Sequence, residues 1–157
     1  MSKEIERKFL VRDDSWRAGA AGVAYRQGYL ALEPKCTVRV RTGGGRAWLT
    51  VKGRAVGITR DEYEYEIPAA EADEMLGALC SGAVIEKTRH RVAHAGRTWE
   101  VDEFHGANAG LVVAEIELGD EQERVEVPPW AGAEVTHDRR YTNAALAQHP
   151  YRQWGRT

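Results

Sequence analysis

The sequence has little of what announces the commoner kinds of site. Its two cysteines, Cys36 and Cys80, stand far apart with no C-x-x-C or Cys/His grouping, so neither a zinc knot nor a redox pair is signalled. The five histidines form no H-E-x-x-H, and Ser2, Ser15 and Ser81 lie in no G-x-S-x-G elbow, which removes the usual marks of zinc-protease and covalent serine chemistry. No run approaches the ~20 apolar residues of a membrane helix. Charge of one sign is missing too: 22 basic and 24 acidic residues leave a formal net charge of −2, so no bulk field recommends nucleic acid or a membrane surface as partner. Any anion site must therefore be local. A protein of the reducing cytoplasm is the expectation.

What is present is alternation. At 157 residues and 43% hydrophobic content the chain suits one domain, placed at residues 1–150 with a short tail at 151–157. The organising stretch is Glu4-Ile5-Glu6-Arg7-Lys8. On a strand, Glu4, Glu6 and Lys8 share one face while Ile5 and Phe9 share the other. Glutamates about 6–7 Å apart repel by roughly 2–3 kcal/mol at an effective dielectric near 20, so in a concave site the pair needs a cation.

The same grammar recurs along the chain. Asp13 to Arg17 predicts a short helix, and Tyr25 to Leu32 a strand in which Gly28 marks a bulge or a close approach. Cys36–Arg41 and Trp48–Lys52 form a hairpin around Gly43-Gly44-Gly45, which lacks the Gly-Lys-Ser/Thr ending of a phosphate loop. Asp61 to Ile67 alternates acids with Tyr63 and Tyr65, and Glu71 to Cys80 has helical spacing at Ala72, Met75, Leu76 and Leu79. Val84–Ala93 and Arg97–Asp102 resume the alternation. Leu111–Leu118 follows, then a shorter strand at Arg124–Val127, and a helix from His137 to about Gln148 capped by Thr136.

The charges are sorted by strand. Glu4/Glu6, Glu62/Glu64, Glu100/Asp102 and Glu115/Glu117 are acidic pairs, whereas Arg39/Arg41, Lys52 and Lys87/Arg89 are basic. A wet face ordinarily mixes signs with Ser, Thr and Gln. The opposite faces carry Phe9, Val38, Val40, Leu49, Val51, Tyr63, Tyr65, Val101 and Ile116, which need cover from helices or from a partner such as a second copy. Eight or nine strands with two or three helices therefore predict a mainly β (α+β) fold, an eight-stranded antiparallel barrel whose closure removes its edges and whose lumen holds the charges. A half-open sheet with its charges in water is the alternative.

Glu4 to Lys8, Arg39-Val40-Arg41, Lys52, Glu62-Tyr63-Glu64, Lys87-Thr88-Arg89, Glu115-Ile116-Glu117 and Asp138 to Asn143 together resemble the CYTH family, the triphosphate tunnel metalloenzymes. The resemblance covers nearly the whole chain and implies a tunnel that holds a triphosphate and Mg²⁺ or Mn²⁺. Gln27-Gly28-Tyr29-Leu30 is similar to the short bacterial branch, which implies hydrolysis of tripolyphosphate. Class IV adenylate cyclase, thiamine triphosphatase and a non-enzymatic polyphosphate- or nucleotide-binding protein stand as alternatives. On this reading Arg39, Arg41, Lys52, Lys87 and Arg89 grip phosphates, with Lys8, Tyr29 and, at one mouth, Arg139 beside them. Glu4, Glu6, Glu115, Glu117 and Asp102 are the expected metal ligands, and Glu62 or Glu64 holds a second ion or orients the attacking water. His90 stands where the family pattern has tyrosine, with parity opposite to Lys87 and Arg89. A triphosphate-bearing small molecule is the expected partner, with a homodimer as an open assembly.

Overall fold

Alternating side chains and tight turns build a ladder of hairpins, and in the computed structural model, which describes residues 3–155, that ladder closes on itself. The strands are β1 (Lys3–Val11), β2 (Ala21–Glu33), β3 (Cys36–Gly43), β4 (Arg46–Gly53), β5 (Thr59–Ile67), β6 (Ser81–His94), β7 (Arg97–Phe104), β8 (Val112–Glu117) and β9 (Ala131–Glu134). Helix α1 (Ala69–Ala78) follows β5, and α2 (Asn143–Gln148) follows β9. The strand order is β5-β4-β3-β2-β6-β7-β8-β1-β9, and a further β5–β1 pairing joins the first eight into a closed antiparallel barrel with β9 as an extra strand. One edge of β1 is shared: Lys3–Ile5 pair with β5, while Phe9 and Val11 pair with β9.

Local chemistry explains the turns. Gly44 and Gly45 both take positive φ, +60° and +80°, the requirement of the two-residue turn whose twist matches its flanking strands. Gly28 is both a bulge and a close approach. The register of β2 against β6 shifts at it, between Gln27 and Tyr29, while against β3 the shift comes between Tyr29 and Ala31, and a Cβ at Gly28 would lie 2.6 Å from Cys80 Sγ.

The apolar outer face is covered in patches. Trp16, carried by a 3₁₀ turn at Ser15–Arg17, joins Trp99, Trp130, Phe9, Val101 and Ile116 over β1, β7 and β8. Helix α1 lays Ala72 and Leu76 on Val40 and Ala47. The expectation that Tyr63 and Tyr65 are covered is corrected: they are 37% and 58% exposed. After Pro68 the chain turns α1 back over β2, β3 and β4, away from β5. Leu79, expected on the buried side of α1, is exposed at the helix end.

The inward rows end in a stopper. Beyond Lys8, Lys87, Asp102 and Glu115 the same strand parity brings Leu10, Ile85, Phe104 and Val113, which pack with Leu146 and Ala147 of α2. That helix differs from the one expected. Arg139–Tyr141 makes a separate 3₁₀ turn capped by Asp138, and Thr142, not Thr136, caps α2 by accepting from Ala145 N. Thr136 Oγ1 instead accepts from Lys8 N on β1 at 3.0 Å. Arg124–Val127 is not a strand; its alternation meets no partner strand, and β9 forms from Ala131-Gly132-Ala133-Glu134 instead. The tail is partly integrated, since Tyr151 N donates to Asn108 Oδ1 and Trp154 packs edge-on against Tyr141 and Tyr151. Ser2 and residues 156–157 lie outside the described residues. Among the described residues no helix is long and apolar enough to cross a membrane.

Candidate active site

Strand parity carries the charged side chains into one cavity of about 310 Å³. Of the residues singled out from sequence, Glu4, Glu6, Lys8, Tyr29, Arg39, Arg41, Lys52, Glu62, Glu64, Lys87, Arg89, Glu115 and Glu117 all line it. Two do not. Arg139 is exposed on the 3₁₀ turn at Arg139–Tyr141, away from the cavity lining, because the expected long helix that would have carried it over the mouth is broken at Thr142. Asp102 is 1% exposed beneath the wall, where Oδ1 accepts from Arg89 Nε at 2.7 Å and Oδ2 from Lys87 Nζ and Arg89 Nη2 at 2.9 and 2.8 Å. Sealed away from the cavity and bonded through both oxygens, Asp102 is the counter-ion of Lys87 and Arg89.

The other cations are held more loosely. Arg39 donates to Thr50 Oγ1 at 3.3 Å and lies 3.5 Å from Glu64; Arg41 lies 3.6 Å from the same carboxylate. Lys8 Nζ is 3.6 Å from Glu115 and 3.3 Å from Tyr141 O. Lys52 is tighter, with both oxygens of Glu4 at 2.9 and 3.1 Å and Glu62 at 3.3 Å. Burial pushes Lys87 down to about 8 despite Asp102 beside it. For Lys8 burial acts in the same direction, but Glu115 and Glu6 outweigh it and keep the ammonium charged.

The acids divide by neighbour. Burial would raise Glu4, yet Lys52 and a hydrogen bond with Glu62 hold it at about 2. Burial and the bond with Glu4 raise Glu62. Burial, then Glu115 and Glu4, push Glu6 well above the usual carboxylate range, and burial with Glu4 and Glu100 raises Glu117. Glu115 goes the other way, because Lys8 and Arg89 overcome its burial. The raised carboxyls of Glu6 and Glu117, with Glu4 and Glu115 beside them on β1 and β8, form a hard-oxygen donor set suited to a divalent cation. Among the described residues, no three of them already converge as a closed ligand group.

Several participants were not assigned from sequence. Glu100 lines the cavity opposite Glu115 on the paired strand; it has the parity of Asp102, so the pattern contained it. Arg60 also lines the cavity, and Thr50 Oγ1 donates to Glu64 at 2.7 Å. Asn143 at the start of α2 accepts from Lys87 Nζ at 3.0 Å and from the fully buried Gln27 at 2.9 Å. No local pattern marks a lone amide that meets its partners only when α2 docks. His90 lies outside the lumen as its parity requires, edge-on to Trp16.

Comparison with known proteins gives concordant matches. A family model described as the CYTH domain matches residues 2–148. A protein of Acetivibrio thermocellus named inorganic triphosphatase is 52% identical over 154 residues, covering 98% of this chain and 99% of the relative. A protein of the same name from Nitrosomonas europaea is 38% identical over 151 residues, covering 92% and 96%. A crystal structure of an inorganic triphosphatase superposes with a TM-score of 0.66 at 36% identity, over 92% of this chain and 97% of that one.

Proposed function

The chain belongs to the CYTH domain family, and from that premise we propose that it hydrolyses inorganic tripolyphosphate, water attacking the terminal phosphorus to give pyrophosphate and phosphate. The observation that carries the proposal is the convergence of Lys8, Arg39, Arg41, Lys52, Lys87 and Arg89 on one cavity, several of them on carboxylates at 3.5 Å or more. Pairs that loose are exchangeable, so a polyanion can take the guanidinium and ammonium donors from the glutamates. The similarity to relatives named inorganic triphosphatase points the same way.

Glu4, Glu6, Glu115 and Glu117 would hold Mg²⁺ or Mn²⁺. Once bound, the ion would neutralise charge developing on the phosphate oxygens. Arg39, Arg41 and Arg89 orient the chain of phosphates, and Lys52 and Lys87 add point charges. Glu62, raised by burial and by its hydrogen bond with Glu4, would take the proton of the attacking water once that bond is released and the carboxyl is ionised, with Glu64 fixed beside it by Thr50. The free thiols Cys36 and Cys80 suit a reducing cytoplasm.

The test is a panel of tripolyphosphate, ATP and thiamine triphosphate with Mg²⁺ or Mn²⁺, following phosphate and cyclic AMP together. Phosphate release fastest from tripolyphosphate is the expected result. Cyclic AMP as the main product from ATP, or tight binding without release, would replace the proposal.

A further inference from the structure

The lumen cations differ in what fixes them. Arg89 has its Nε and Nη2 taken by Asp102 and its Nη1 3.3 Å from Glu100. Arg41 is the contrast. Among the described residues its guanidinium makes no hydrogen bond, its nearest carboxylate oxygen is 3.6 Å away, and its buried Nε has no partner. An arginine so lightly tied would sample many rotamers unless something else held it.

Two aromatic rings are placed to do so. The Arg41 guanidinium carbon lies 5.1 Å from the Tyr25 ring centroid and 5.2 Å from that of Trp48. Trp48 is the cross-strand partner of Arg41 on β4, and Tyr25 lies on β2, two residues before Gln27, the partner of Arg41 there. Both distances are inside the ~6 Å range of cation–π attraction. A guanidinium can meet a ring through its face and keep its in-plane N–H groups free, whereas a carboxylate consumes them. Gly43 makes room: it is the β3 partner of Tyr25, and a Cβ there would stand 2.2 Å from Tyr25 Cδ1 and 2.3 Å from Cε1.

We propose that Tyr25 and Trp48 are positioning residues that hold Arg41 by its face, with Gly43 admitting the Tyr25 ring, so that the whole donor edge of Arg41 is presented to the phosphate chain. This rests on the reading of the lumen as a triphosphate site and assigns one cation within it.

The experiment is calorimetric titration of the full chain with inorganic tripolyphosphate, alongside KM and kcat with Mg²⁺, on Tyr25→Leu, Tyr25→Phe, Trp48→Leu, Trp48→Phe and Gly43→Ala. Each Leu variant should weaken binding by about 5- to 30-fold, the range expected for a desolvated cation–π contact. Each Phe variant should recover most of that loss. Gly43→Ala should match Tyr25→Leu, and thermal melts identify any variant that is merely unfolded. In an Arg41→Ala background, which removes the guanidinium, the Leu substitutions should cause little further loss. Equal losses for Phe and Leu, or full additivity with Arg41→Ala, would overturn the assignment. A wild-type protein that binds tripolyphosphate without hydrolysing it would sink the hydrolase reading while leaving this test readable as an affinity.

Discussion

Glu6 on β1 faces Glu117 on β8 directly across a paired register, with both side chains in the lumen. Like charges placed opposite one another on neighbouring strands oppose folding. On the proposed function, a cation held among them would give that arrangement a reason.

Glu6→Gln and Glu117→Gln should each stabilise the metal-free protein, by about 0.2–1 kcal/mol for the opposed pair, while raising the Mg²⁺ or Mn²⁺ concentration needed for half-maximal turnover. Wild-type turnover should cease with chelator and return with either ion. Thermal melts with EDTA and metal titrations of activity measure the two effects. Full turnover in excess chelator would remove the metal.

Arg39→Ala and Arg41→Ala should raise KM for tripolyphosphate by tenfold or more, about 1.4 kcal/mol for each factor of ten. Arg7→Ala should leave KM alone, since Arg7 points outward and is held by both oxygens of Glu134 at 2.9 and 2.7 Å. Steady-state kinetics of the three variants is the check; equal losses would mean that the inward register is wrong.

Glu62→Gln should keep the fold and triphosphate binding yet lower kcat by about 10²–10⁴, the usual contribution of a general base. Were Glu62 or Glu64 only a metal ligand, added Mn²⁺ would restore the rate of the corresponding Gln variant. A Mn²⁺ titration of both Gln variants separates the roles.

Asp102→Asn should destabilise the protein by about 3–5 kcal/mol, because Lys87 would be left buried without its anion and Arg89 with only the looser Glu100 and Glu115. Lys87 and Arg89 hold the Asp102 carboxyl far below its ordinary value of 3.8, against the upward push of burial. A depressed carboxyl contributes stability in full above that value, and loses it as pH falls toward the folded value. Wild-type melting temperature should therefore drop as pH is lowered below about 4, and the Asp102→Asn profile should be flatter there. An unchanged melting temperature combined with a higher metal requirement would return Asp102 to the ligands.

Which side chains face inward was already legible in the order of the residues. Alternation is a property of the strand backbone, so once Glu4, Arg39, Lys52, Glu62, Lys87 and Glu115 were on strands, their neighbours two residues away had to share their side. Glycine punctuation set the β3–β4 hairpin and the bulge at Gly28 for similarly local reasons. Parity does not give depth. Glu100 and Asp102 have the same inward parity, yet one lines the cavity and the other is sealed beneath Lys87 and Arg89, because only the barrel's closure decides which rows meet at which height. Tertiary structure also decided what has no local period: β9 in Ala131-Gly132-Ala133-Glu134, the bare faces of Tyr63 and Tyr65, and α2 bringing Asn143 to Lys87. Those contacts join segments far apart in the chain, and their partners exist only after the strands have closed.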